Sequence, residues 1–232
     1  MKKFGFLIFV VVLVIGFIAA SASSFGKLDT GGMFHFNFGG VKGSGNVITQ
    51  SRDHSDFHAV EVSNAIQVEI TAQKDFAIEV QADDNIAPLV RTEVDGGVLK
   101  ISCDKHYSSS TPVRVRVAAP NIDELEISGA SNVSLAGIKN SDLNVEVSGA
   151  SKLRVDGSTS DLKIEASGAS KVDTSALASE SCTVSTSGAS NATVSAVVSL
   201  TADASGASHI NYSGSPKNVV KKSSGASSIN GQ

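Results

Sequence analysis

Polar and apolar positions alternate with a period of two over much of this chain. Val60 and Val62, then Ile66, Val68 and Ile70, then Ile78 and Val80, Leu99 and Ile101, and Val113, Val115 and Val117 each skip one residue between apolar side chains. That spacing places successive apolar groups on one face of an extended strand, and their β-branching suits a pleated, half-buried surface. Asp95-Gly96-Gly97 is a reversal signal between two such runs. The stretch from Asn85 to Arg91 breaks the pattern. Its Pro88 argues against a central strand, so it reads as a single helical turn or a loop crossing one end of a sheet stack.

After Pro120 the alternation becomes a repeat. Ser-Gly-Ala-Ser begins at Ser128, Ser148, Ser167, Ser187, Ser205 and Ser224, with spacings of 20, 19, 20, 18 and 19 residues. Self-similarity at this period is the mark of a solenoid. Before the motif, Leu143, Val145 and Val147 align with Leu162, Ile164 and Ala166 and with Cys182, Val184 and Thr186. After it, Val133 and Leu135 align with Leu153 and Val155, Ala192 and Val194, and Ile210 and Tyr212, while Asn144, Glu146, Lys163, Glu165 and Arg154 fill the alternate, outward positions. Each repeat therefore supplies two strands with an aliphatic inner face.

The motif is then the corner between those strands. Gly129, Gly149, Gly168, Gly188, Gly206 and Gly225 are the candidate structural turn residues, because a corner demands backbone angles that a Cβ resists. The Ala after each glycine is expected to face the interior, and the serines to stack from coil to coil. The fold predicted is all-β: a single-stranded, parallel, right-handed β-helix (β-solenoid) of about 19–20 residues per coil, with six coils in the repeat region. In the last coil Pro216, Lys217, Lys221 and Lys222 depart from the pattern, and Lys221 falls where earlier coils place Val145 or Ile164. This reads as a C-terminal cap on an edge that would otherwise invite aggregation.

Four segments follow. Residues 1–22 combine Lys2 and Lys3, an apolar run from Phe4 to Ala20, and the small residues Ala20-Ser21-Ala22. They read as a signal peptide or, since about 17 apolar residues approach the length of a bilayer span, as an N-terminal membrane anchor. Residues 23–43 form a Gly-, Ser- and Phe-rich linker in which Phe34, Phe36 and Phe38 alternate with His35 and Asn37. Either these rings lie on a strand covering the open edge of the solenoid, or the segment is a tether whose rings meet a partner or membrane surface. The glycines on both sides favour the tether. Residues 44–120 are the β-rich N-terminal part of the solenoid, and residues 121–232 the Ser-Gly-Ala-Ser coils with their cap.

Composition narrows the function. The chain of 232 residues has a formal net charge of −4, falling to about −6 once Lys2 and Lys3 leave, and it lacks the basic footprint of a nucleic-acid binder. Trp is absent and the core residues are small, which suits a thin layered interior. Cys103 and Cys182 permit a disulfide in an exported chain, but spacing leaves open whether they meet or are two buried thiols.

Gly43-Ser44-Gly45-Asn46-Val47, the segment from Val60 to Val68, the stretch from Ala82-Asp83-Asp84-Asn85 to Arg91-Thr92-Glu93-Val94, the repeats, and Gly214-Ser215-Pro216-Lys217 follow one another along the chain. Together they resemble the auto-transporter adhesin, head GIN domain family of bacterial proteins. The resemblance runs from about Gly43 to Asn230. It implies an exported β-solenoid of the envelope or cell surface, and it brings no catalytic residues with it.

Candidate chemistry is sparse. The row Asn132, Lys152, Lys171, Asn191, His209 and Ser228 reads as a solvated outer face rather than a catalytic groove. Glu124 and Glu126 share a face, and Asp83 and Asp84 could contribute to a loop cation site, but neither pair has the ligand count of a calcium site. Cys103 with His106 falls short of a zinc site. His54 and His58 flank a polar turn, and no Gly-x-Ser-x-Gly elbow is present. The expectation is a non-enzymatic structural or adhesion-type module needing no catalytic residue, cofactor or metal, located in the periplasm, outer envelope or cell surface. Its partner would be an envelope or surface ligand, glycan or protein. The alternatives are a carbohydrate-binding or carbohydrate-active β-helix, and a membrane-anchored envelope-stress or signalling accessory.

Overall fold

A computed structural model describes residues 40–232. The apolar run of residues 4–20 and the Phe34–Phe38 alternation lie outside the described residues. The described part begins with β1 (Val41–Lys42), β2 (Val47–Arg52), β3 (Ala59–Val62), β4 (Gln67–Thr71) and β5 (Ala77–Asp83). A 3₁₀ turn, Ala87–Leu89, leads to β6 (Val90–Asp95), β7 (Val98–Cys103), β8 (Tyr107–Ser108) and β9 (Arg114–Ala118). The repeats follow as β10 (Glu124–Ile127), β11 (Asn132–Val147), β12 (Lys152–Ala166), β13 (Lys171–Thr186), β14 (Asn191–Ala204), β15 (His209–Ser213), β16 (Asn218–Ser223) and β17 (Ser228–Gly231).

The fold is a β-solenoid, and all six Ser-Gly-Ala-Ser corners stack in it, one to a coil. Long strands such as β12 run through a bend, so each coil presents its pre-corner half on one face of the column and its post-corner half on another. Pairing between coils is parallel and in register: Val145 lies beside Ile164, Ile164 beside Val184, and Val184 beside Ala202. The inward positions Leu143, Val145, Val147, Leu162, Ile164 and Val184 are all within 2% of complete burial. A coil of this size cannot enclose its own apolar side chains, so neighbours above and below complete each layer.

The N-terminal part is a solenoid of a different construction. On one face the strand order is β10-β3-β7-β6, and on the other β11-β4-β9-β5-β2. The coil formed by β3 and β4 therefore lies between the first repeat and the coil formed by β7 and β9, although it precedes both β7 and β9 in sequence. β6 runs antiparallel to β7, and β5 antiparallel to both β9 and β2. The segment from Asn85 to Arg91 crosses the end of the column through its 3₁₀ turn, and Ile86 and Ala87, both fully buried, close the apolar interior there. The other end has no such lid among the described residues. All of β16 is exposed, and Lys221, in register with Ala202, holds its ammonium 4.5 Å from the centre of the Tyr212 ring.

Cys103 and Cys182 are both free and buried. Five inter-coil steps separate them, or about 24 Å at the usual strand spacing, far beyond disulfide reach.

Candidate functional site

The corners form a ladder whose geometry follows from the motif. Gly129, Gly149, Gly168, Gly188, Gly206 and Gly225 take φ of +77°, +73°, +73°, +71°, +74° and +76°. In each coil the Ala N–H donates to the glycine carbonyl of the coil before: Ala150 to Gly129 at 2.8 Å, Ala169 to Gly149 at 2.8 Å and Ala189 to Gly168 at 2.7 Å. A Cβ on Gly149 would lie 2.3 Å from the Gly129 carbonyl oxygen, so glycine is required by stacking as well as by φ.

Two details differ from the sequence reading. The Ala of the motif is exposed in every copy, and it is the closing Ser that turns inward, with Ser131, Ser151, Ser170, Ser190 and Ser208 at most 1% exposed. The hydroxyls of Ser131, Ser190, Ser208 and Ser227 bond the corner's own backbone, whereas those of Ser151 and Ser170 have no protein partner. Ser190 Oγ donates to Ser187 O at 2.8 Å, and Ser208 Oγ to Ser205 O at 2.8 Å. The ladder also has an additional rung. Ser63-Asn64-Ala65 forms the same corner, with Asn64 at φ +73° and its carbonyl accepting from Ala130 N at 2.7 Å. Asn tolerates the left-handed region better than most residues, and the neighbouring coil has no corner to obstruct its side chain. There the chain opens into the loop after Cys103, whose N–H donates to Asn64 Oδ1 at 3.1 Å.

A groove of about 780 Å³ runs across successive coils. It lies at the bend before each pre-corner strand, where two polar rows stack in register. One is Glu124, Asn144, Lys163 and Thr183, and the other is Asp142, Asp161 and Ser181. Asn121, Asp123, Lys139 and Asn140 complete the rim. Asn140 Nδ2 donates to Ile122 O at 2.9 Å, and His58 Nδ1 lies 2.8 Å from Asp123 Oδ1. The rows alternate carboxylates, amides, hydroxyls and ammonium groups at the inter-coil spacing of about 4.8 Å. This groove was missed in the sequence because it depends on how β11 and β12 bend; Gly137 and Gly157, at φ +77° and +125° inside those strands, were the available sign that the strands do not run straight.

A second row lies beside it. Glu61, Glu126, Glu146 and Glu165 occupy one column of adjacent coils, with Lys100 beyond Glu61. Partial desolvation raises the Glu126 carboxyl above the ordinary range, and Glu61, Glu146 and Glu124 add to the shift by repulsion. Lys163 relieves the far end through a 2.7 Å contact with Glu165.

The other candidates do not converge. Asn132, Lys152, Lys171, Asn191, His209 and Ser228 are in register on the post-corner face. Asp83 is buried and accepts from Ser109 Oγ at 2.6 Å, whereas Asp84 is exposed and holds Ser44 Oγ and Asn46 Nδ2. Cys103 donates its thiol to Lys105 O, and His106 is exposed nearby. Among the described residues no three His, Cys, Asp or Glu side chains come together as a metal site.

The family model described as "Putative auto-transporter adhesin, head GIN domain" matches residues 56–216. The chain belongs to this family. The match spans the additional Asn64 corner, the polar groove and five of the six Ser-Gly-Ala-Ser corners. Solved structures share the fold. One, described as a "putative adhesin" from Bacteroides fragilis, superposes with a TM-score of 0.70 at 19% identity, covering 83% of this chain and 100% of that one. Another "putative adhesin", from Parabacteroides distasonis, gives a TM-score of 0.52 at 20% identity, covering 83% and 99%. No curated protein matches the chain in sequence.

Proposed function

We propose that this adhesin-like β-solenoid is an exported, non-enzymatic module of the bacterial envelope or surface that binds a glycan chain along the polar groove. The observation that carries the reading is the pair of in-register rows, Glu124-Asn144-Lys163-Thr183 and Asp142-Asp161-Ser181. Sugar hydroxyls donate and accept at once, and a surface that mixes carboxylates, amides and an ammonium at a fixed repeat meets both demands. The family description and the adhesin names of the structural neighbours support a surface role. Export rests on Lys2, Lys3 and the apolar run that follows.

Titration against a panel of envelope and host glycans tests the reading. Asn144→Ala and Asp142→Ala are expected to weaken binding at least about tenfold, the loss of one or two charge-assisted hydrogen bonds, with unfolding unchanged. Absence of binding to every glycan, or binding indifferent to both substitutions, would overturn it. Turnover of a bound polysaccharide, abolished by Asp142→Asn, would make the module an enzyme.

A further inference from the structure

The two ends of the column are unlike in charge. The coil at the N-terminal end, residues 77–95, carries Glu79, Asp83, Asp84, Glu93 and Asp95 against Arg91, and β2 with the loop after it adds Asp53 and Asp56 against Arg52; Glu79 is paired with Arg116 and Asp95 with Lys100. The last coil, residues 216–232, carries Lys217, Lys221 and Lys222 and no carboxylate side chain. None of these three lysines is in an ion pair among the described residues, whereas Lys163, within the column, is held by Glu165.

The exposed apolar residues fall in the same places. Among the described residues the large exposed hydrophobics are Val47, Val197, Val198, Val219 and Val220. Val47 is on β2, the outermost strand of the N-terminal end. Val219 and Val220 are on β16, the outermost strand of the opposite end, and Val198 accepts from Lys217 N at 3.1 Å directly beside it. Finally, β2 and β6 at one end and β16 and β17 at the other each have one edge without a strand partner among the described residues. Unpaired backbone donors and acceptors, exposed valines and opposite charge thus coincide at both ends.

We infer that the basic C-terminal end of one copy docks on the acidic N-terminal end of a second copy, continuing the sheets from molecule to molecule. A tail-to-tail pair would oppose three lysines with three lysines, which repel, so the contact is heterologous. Such a contact, unlike a two-fold one, does not close on itself and propagates into short filaments. This inference does not depend on the groove or on glycan binding.

The test uses the full chain, dispersed in a non-ionic detergent that shields residues 4–20. Thr49→Cys marks the exposed edge of β2 and Asn230→Cys that of β17, while Cys103 and Cys182 are buried and stay silent. Mixing the two singly substituted proteins with a short bis-maleimide should give the mixed dimer, and the doubly substituted chain should give a ladder of oligomers. Lys222→Glu, at an exposed position with no bonded partner, should lower the yield roughly two- to tenfold, as should 0.5 M salt, and Glu93→Lys in the partner should restore it. Absence of the mixed dimer, self-linking of the Asn230→Cys protein alone, or a yield indifferent to salt and to Lys222 would each overturn the inference.

Discussion

Gly149→Ala is the most informative single change in this molecule, because two separate costs meet at one position. Holding an L-residue at φ +73° costs roughly 1–2 kcal/mol. The added methyl would then sit 2.3 Å from the Gly129 carbonyl oxygen, so the two coils must part locally and loosen the Ala150 to Gly129 hydrogen bond. Overpacking of this kind costs about 1–3 kcal/mol, giving a total of about 2–5 kcal/mol. Gly96 supplies the control: its φ is +59°, but a Cβ there meets nothing within 4 Å, so Gly96→Ala should lose only about 1–2 kcal/mol. Urea unfolding with linear extrapolation measures both. Equal losses for the two variants, or a Gly149→Ala loss below about 0.5 kcal/mol, would refute the claim that stacking, beyond φ, demands glycine at the corners.

The closing serines of the motif should not be equivalent. Ser208→Ala deletes a hydroxyl that donates to Ser205 O at 2.8 Å and lies 2.9 Å from Thr186 Oγ1, and should cost about 1–2 kcal/mol. Ser170→Ala removes a buried hydroxyl with no protein partner, and should be neutral or slightly stabilising in the same unfolding assay. Glu126→Gln should stabilise by about 0.5 kcal/mol at neutral pH and low salt by relieving the glutamate column. Because the Glu126 carboxyl is raised in the folded state, the native form holds its proton more tightly than the unfolded chain. Its contribution is present below the unfolded value and is lost as pH rises through the folded one, so the two proteins should converge in stability on acidification. Burial pushes the Cys182 thiol up to about 12, so native protein should leave Cys182 unlabelled by iodoacetamide at pH 8 and label it only in denaturant, as mass spectrometry would show.

The coils after Pro120 were readable in the sequence because each apolar position recurs at a fixed distance from a motif, and stacking converts that distance directly into register. Leu143, Leu162 and Cys182 share a column for that reason. The inward turn of Ser131 and its equivalents was not readable, since Ala is the more apolar residue. Asn64 escaped notice because its corner lacks the glycine that defines the others. The groove depends on bends within strands, and the N-terminal order of coils on pairings between segments far apart in sequence. Alternation alone shows which side of a strand is buried but not which neighbour buries it.

The displaced coil formed by β3 and β4 has a consequence for how the chain acquires its shape. Repeats from Ser128 onward can wind up one at a time on whatever has already formed, each closing only a short loop. The N-terminal block offers no such order, because β3 and β4 are sandwiched by strands synthesised later and must wait for β7, β9, β10 and β11 before both edges are satisfied. Long loops closed before their contacts can reward them make this the slow step. The block is therefore complete only once the first repeat coil, β10 with the start of β11, has joined it.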